Sequence, residues 1–296
     1  MRNLNDGSDR APRFRADIHL GTVWQLPAWS AGPRGDDPAF YETIAAAGYE
    51  GVQGGDPARC AALGLACTTF GVHREPGTLL DLVKLWRDLG FEASTLHVGT
   101  GIESDAVALA MLTEVLDAAD VTGLPLYVET HRATCTQDPW RTVTFIDELP
   151  ELRFNGDFSH WYTGGEMTYG DFDAKLAFLA PVFERTRYLH GRIGDPGCMQ
   201  IALGPDVPDD HPSIGHFRRF WTAAAAGFLT GAEPGDVLPL APELLPSSIN
   251  YAQTHPSPDG PVEGSDRWTD ALRMIDLARR CFDDATPTTS RSEEPA

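Results

Sequence analysis

Lysine is almost missing from this chain: Lys84 and Lys175 are the only two in 296 residues. Both fall in stretches of helical periodicity rather than at the ends of apolar runs. A Schiff-base aldolase needs an amine in its site, so that chemistry is disfavoured. Positive charge is scarce in general, with 23 lysines and arginines against 43 acids and a formal net charge of -20. Such a surface repels a phosphate backbone, and nucleic acid is not an expected partner. There is no apolar run of about 18 residues, and the amino-terminal MRNLNDGSDRAPRFRAD holds no apolar signal core. The chain therefore reads as soluble and cytoplasmic, with no membrane partner. The five cysteines (Cys60, Cys67, Cys135, Cys198 and Cys281) include no Cys-x-x-Cys pair. Odd in number and scattered, they argue against a disulfide framework or a thiolate zinc site, and read as reduced thiols.

What the chain does have is a repeated alternation of short apolar runs with helical periodicity, the mark of βα units. Strands are expected at Ile18 to Val23, Gly51 to Gln53, Leu65 to Phe70, Ala93 to Val98, Leu124 to Val128, Leu152 to Phe154, Arg187 to His190 and Val237 to Pro242. Helical stretches separate them. In Thr78 to Leu89 the apolar positions Leu79, Leu80, Leu82, Val83, Leu85, Trp86 and Leu89 recur at helical spacing, and Gly90 supplies the stop. Pro181 should kink or split the helix expected over Phe172 to Arg185. Eight such units without a linker-like break predict an α/β chain folded as a single (β/α)8 TIM barrel over residues 17–285. Disordered polar ends are expected at 1–16 and 286–296.

On that count the carboxyl ends of the last four strands carry Glu129, Asp157, His190 and Glu243. Loops converge at that end of a parallel barrel. Three carboxylates and an imidazole meeting in one mouth repel one another unless a cation or protons neutralise them. An oxygen-rich donor set with one nitrogen suits one divalent ion, manganese first, with magnesium, cobalt or zinc as alternatives. Such an ion polarises a carbonyl and acidifies the neighbouring C–H, which a nearby carboxylate can then deprotonate.

These residues resemble the xylose isomerase-like TIM-barrel superfamily. The likeness lies in the order Glu, Asp, His, Glu on the last four strands, in the Asp157-x-x-His160 spacing, and in the run Pro242-Glu243-Leu244-Leu245-Pro246 leading to Tyr251. More narrowly, VETHR at 128–132, FNGDFSHWYTGGE at 154–166 and HGRIGDPGCMQ at 190–200 are similar to bacterial proteins described as sugar phosphate isomerase/epimerase. The resemblance implies that Glu129, Asp157, His190 and Glu243 bind the ion, and that Glu129 and Glu243 also exchange a proton with opposite faces of a bound sugar. It implies that His160 contacts a substrate oxygen. Arg192, His131 and His97 are further candidates for substrate contact. His97 stands where endonuclease IV places a ligand for an additional zinc, with His73 as the nearest third-strand candidate. Trp24, Trp140 and Trp161 follow strand ends and could stack on a sugar, and Cys198 and Gln200 sit in the loop after the seventh strand.

The expected activity is a metal-dependent isomerase or epimerase of a sugar or related polyhydroxylated carbonyl compound, a carbohydrate-like small molecule. Pairing into a homo-oligomer is open to such a barrel. A metal-dependent dehydratase or lyase would begin with the same proton. A metal-free glycosidase using Glu129 and Glu243 would leave Asp157 and His190 without a role. A sugar-binding barrel without turnover is the non-enzymatic alternative.

Overall fold

A computed structural model describes residues 2–35 and 37–286. Eight parallel strands run β1 Arg13–His19, β2 Gly51–Gln53, β3 Ala66–His73, β4 Ser94–Val98, β5 Leu126–Glu129, β6 Phe154–Gly156, β7 Thr186–Gly191 and β8 Asp236–Pro242. Each pairs with the next, and β8 closes on β1 through registers from Arg13 with Val237 to Ala16 with Leu240. The helices are α1 Phe40–Ala46, α2 Pro57–Ala62, α3 Leu79–Leu89, α4 Asp105–Thr122, α5 Pro139–Glu148, α6 Ser159–Gly164, α7 Phe172–Phe178, α8 Ala180–Phe183, α9 Pro212–Thr230 and α10 Arg267–Ala285. The result is the expected closed (β/α)8 barrel. Local chemistry sets the helix ends. Ser104 and Asp138 cap the starts of α4 and α5, Pro139 occupies the first turn of α5, and α3 stops at Gly90 with φ +92°. Pro181 does divide its helix, separating α7 from α8.

The amino-terminal expectation needs correction. Residues 2–16 are not an unstructured arm. Leu4–Asn5 pairs antiparallel with β8 at Val237 and Asp236, and the first barrel strand begins at Arg13 rather than Ile18. The sequence RFRADIH alternates polar and apolar residues instead of forming an apolar run, because its polar face turns into the barrel. The expected tail lies outside the described residues except for Thr286, whose amide closes α10 on Phe282 and Asp283.

Alternation along β1 sends Phe14, Ala16 and Ile18 outward to the helices, and Arg15, Asp17 and His19 into the barrel. Inside, Arg15 forks onto Asp17 at 2.7 and 2.8 Å and reaches Glu92 at 2.6 Å. Gly51 on β2 makes room for this pair, since a Cβ there would run into the Asp17 carboxylate. His19 is the next inward residue and therefore stands at the mouth. Behind the opposite wall an aromatic cluster fixes α6: Phe158 stacks on Phe220 at 5.2 Å, and Tyr162 meets Phe217 edge-on at 5.1 Å. Trp161 is buried, and its indole N–H donates to Thr136 O at 2.9 Å. With Phe158, Trp161 and Tyr162 anchored in this way, His160 is left facing the mouth.

Candidate metal and acid–base site

Glu129 is the last residue of β5, Asp157 and Glu243 stand one past β6 and β8, and His190 is the penultimate residue of β7. Each offers a ligand atom, and these atoms all lie within 4.8 Å of one another. All four residues are buried, with Glu243 the most accessible at 8%. The four strand ends thus bring together the groups that the sequence placed there.

Each group is held by a second residue. The Asp157 Oδ1 accepts from the Ser159 hydroxyl at 2.5 Å and from the Ser159 amide at 3.1 Å, which leaves Oδ2 facing the cluster. The amide of Asn155 donates to Glu129 Oε2 at 3.0 Å. Gln53 donates through its Nε2 to Thr95 Oγ1 at 3.0 Å, which points its Oε1 at His190. That oxygen lies 2.8 Å from His190 Nε2. The ring proton on Nε2 is thereby committed to Gln53, and Nδ1 is directed at Glu129 Oε2 and Glu243 Oε2, each 3.4 Å away. Arg192 donates from Nε to Glu243 O at 2.9 Å and hydrogen-bonds Glu243 Oε2, and its Nη1 lies 3.0 Å from Asp157 Oδ2. Its guanidinium rests 4.8 Å from the Tyr251 ring centroid.

The electrostatics follow from this packing. Burial disfavours charge on Glu129 and Glu243, but cationic neighbours win and hold both carboxyls well below the usual range. These are His190 and His97 for Glu129, and Arg192 and His190 for Glu243. Asp157 is likewise lowered to about 2, chiefly by Arg192 working against burial. For His190, burial opposes the charge, and Glu129 and Glu243 outweigh it, lifting the ring to about 10.

A divalent ion fits this set. Glu129 Oε1, Asp157 Oδ2 and His190 Nδ1 are buried and make no aligned hydrogen bond, being held only by ion-pair contacts with other charged groups of the mouth. Buried polar atoms without an aligned hydrogen bond are costly, and here three of them belong to one cluster. Charge balance agrees: three carboxylates would be neutralised by the Arg192 guanidinium and one dication, the ion taking the place of the proton that Glu129 and Glu243 otherwise hold on His190.

The other candidates divide. His160 Nε2 lies 3.4 Å from Asp157 Oδ2 and 3.3 Å from Arg192 Nη1, and its Nδ1 is buried and unpartnered. His97 Nε2 lies 3.1 Å from Glu129 Oε1. His97, His131 and His160 form a ladder of rings with centroids 4.0 and 3.8 Å apart. His97, Glu129 and His131 form a second group whose potential ligand atoms lie within 4.8 Å of one another. His73 instead faces Glu114 at 3.2 Å. Trp140 is 72% exposed and stacks on Phe178, and Trp161 is packed inside, so of the three tryptophans only Trp24 lines the cavity at Glu243. The Gln200 amide is occupied by the Leu245 backbone at 2.8 and 3.0 Å, and Cys198 donates to Gln200 O. His19, Gln53 and Asn155 were not among the sequence candidates. The one available signal was alternation: in ADIH and GVQ the last inward residue of each strand is polar.

No family model and no curated protein matches the chain. Among solved structures, a sugar phosphate isomerase/epimerase from Parabacteroides distasonis superposes with a TM-score of 0.51 at 12% identity, over 89% of this chain and 96% of its own. The likeness is one of fold: both are TIM barrels. A xylose isomerase-like TIM barrel protein from Mycobacterium smegmatis, solved in complex with magnesium, gives 0.48 at 12% identity over 95% and 100%. Endonuclease IV from Thermus thermophilus gives 0.47 at 16% identity over 90% and 99%. In this barrel the mouth is the end that carries the buried carboxylates. Among the described residues no helix is long and apolar enough to cross a membrane.

Proposed function

We propose that this protein is a divalent-metal-dependent isomerase or epimerase of a sugar or related polyhydroxylated carbonyl compound. The observation that carries the reading is the convergence of ligand atoms of Glu129, Asp157, His190 and Glu243 within 4.8 Å of one another, with a buried atom that makes no aligned hydrogen bond on three of the four. Those four residues hold the ion, manganese before magnesium, cobalt or zinc, because oxygen donors dominate. When bound there, such an ion supplies Lewis acidity that makes the C–H beside a coordinated carbonyl easier to ionise.

The chain's own residues do the rest. Glu129 and Glu243 stand ionised at neutral pH, so either can accept a proton from carbon. Glu243 lines the open cavity, where it exchanges protons with solvent and returns one to the substrate. Asn155 and Arg192 fix the two carboxylates in place. His160 offers its unpartnered Nδ1 to a substrate oxygen, and His97 and His131 contact the substrate on the Glu129 side. Work in the cytoplasm as part of carbohydrate metabolism belongs to the same proposal, which the five free cysteines support.

The test is incubation of manganese-loaded protein with a panel of ketoses in heavy water, followed by NMR and mass spectrometry. Deuterium at the carbon next to the carbonyl, in a product of otherwise unchanged composition, is the expected result. A dehydrated, unsaturated product would replace this reading with elimination, and undiminished activity after chelation would remove the metal from it.

A further inference from the structure

The cluster opens on one side into a cavity of about 670 Å³, bounded by His19 and Glu243. That volume lies within the roughly 300–1,000 Å³ typical of pockets that enclose drug-sized ligands. Its wall is aromatic and aliphatic. Trp24 and Phe70, each 48% exposed, line it together with Phe40 and Leu245. Isolated exposed apolar side chains need no explanation, but these share one cavity that ends on a buried carboxylate.

The wall is pre-built. Arg267, 2% exposed and paired with Glu263 at 2.7 Å, donates to Thr22 O, Trp24 O and Gln25 O at 2.6, 2.9 and 3.0 Å. It thereby fixes the segment that carries Trp24. Phe70 lies over Gly54, where φ is +82° and a Cβ would approach the ring to 3.0 Å. His19 packs on Phe70 with centroids 4.8 Å apart, and its Nδ1 accepts from the Gly21 amide at 2.9 Å.

Such a wall suits a ring face and not a chain of hydroxyls. Hydroxyls pressed against the Trp24 and Phe70 rings would lose water there and gain no hydrogen-bond partner from those side-chain faces. An aromatic or alicyclic face gains contact and stacking there. One cation completes the cavity. Arg59 is exposed, its guanidinium sits 4.5 Å from the Tyr41 ring centroid, and among the described residues it has no ion-pair partner. A planar guanidinium without a carboxylate is ready to receive one from a ligand.

We propose that the substrate is a ring-bearing α-hydroxycarbonyl compound with an anionic substituent: its hydroxycarbonyl end at the Glu243 cluster, its ring on Trp24 and Phe70, and its anion at Arg59. This rests on reading the cluster as the reacting end. The test is calorimetric titration of the metal-free and the manganese-loaded protein with D-fructose, α-hydroxyacetophenone, and 3- and 4-(hydroxyacetyl)benzoate. The ring should improve affinity at least tenfold over D-fructose, and a carboxylate on it at least tenfold again for one of the two isomers. Arg59→Gln should abolish the carboxylate's gain and leave α-hydroxyacetophenone unaffected. Trp24→Ala and Phe70→Ala should weaken the aryl probes about tenfold and leave D-fructose unaffected, with circular dichroism confirming the fold.

Binding of D-fructose as tight as that of the aryl probes, no detectable aryl binding, or an Arg59→Gln variant that keeps the carboxylate's gain would each overturn the proposal. The metal reading fails separately. Ring and carboxylate preferences that persist in a protein unable to take up manganese would sink the metal and spare the pocket. Metal-dependent turnover of ketoses without an aryl preference would do the reverse.

Discussion

Gln53 on β2 and His190 on β7 meet across the barrel at 2.8 Å, and this contact decides which imidazole nitrogen faces the carboxylates. Gln53 Nε2 also donates to the Thr69 carbonyl at 3.4 Å, which can only accept, so turning the amide round would break that bond, and the Gln53 oxygen is left to accept the His190 Nε2 proton. Replacement by leucine removes that acceptor and frees the ring. Gln53→Leu is therefore expected to weaken manganese binding about 10- to 100-fold, the usual effect of losing a partner behind a ligand. Calorimetric titration of the chelated protein measures this, and an unchanged affinity would show that Gln53 does not orient His190.

The ligand assignment separates from the substrate assignment. Asp157→Asn and His190→Ala are expected to lose bound metal by elemental analysis, whereas His160→Ala and His97→Ala should keep the ion and lose most of the activity. Full metal content in both of the first two variants would take them off the ligand list.

The polar interior of the barrel carries a packing prediction that is independent of the site. A methyl group at Gly51 would collide with the Asp17 carboxylate, which Arg15 pins from the other side. Gly51→Ala should destabilise the fold by about 1–3 kcal/mol, the range for overpacked cores. Urea unfolding reads this directly, and a wild-type midpoint would mean that the pair moves aside freely.

His19 sets an acid limit. Burial, helped by the nearby His190 charge and opposed by Glu243, depresses its ring to about 4, so it stays neutral in the folded chain. An unfolded histidine titrates near 6.5. The stability this contributes is fully present above pH 6.5 and is lost as pH falls through about 4. The loss amounts to about 3 kcal/mol. His131, lowered to about 3 mainly by burial and by His160, acts in the same direction. Unfolding free energies measured from pH 7 to pH 4 should fall less steeply in His19→Gln than in the parent, and parallel curves would contradict this.

Much of the barrel could be read along the chain. Short apolar runs separated by periodic helices required parallel strands, and Gly90 and Pro181 punctuated the helices where expected. The four cluster residues were legible because each is the first ionisable group after an apolar run, and such groups share one end of a parallel barrel. β1 was harder to read. Its inward face carries Arg15, Asp17 and His19, so no apolar run announces it, and its first half reads as a loose polar arm.

The order of residues by itself determined the strand ends and hence which acids and which histidine meet, since a βα repeat leaves those groups no other end to occupy. Only the closed barrel decided what holds them. Ser159 follows Asp157 by two residues, but Asn155 stands 26 residues from Glu129 on the next strand, and the orientation of both pairs depends on the pleat and on the first turn of α6. Gln53 and His190, or Arg59 and Glu243, lie far apart in the chain and are brought to one mouth only when β8 pairs with β1. Contacts across a closed sheet depend on register and on side-chain direction, and neither is written in local periodicity.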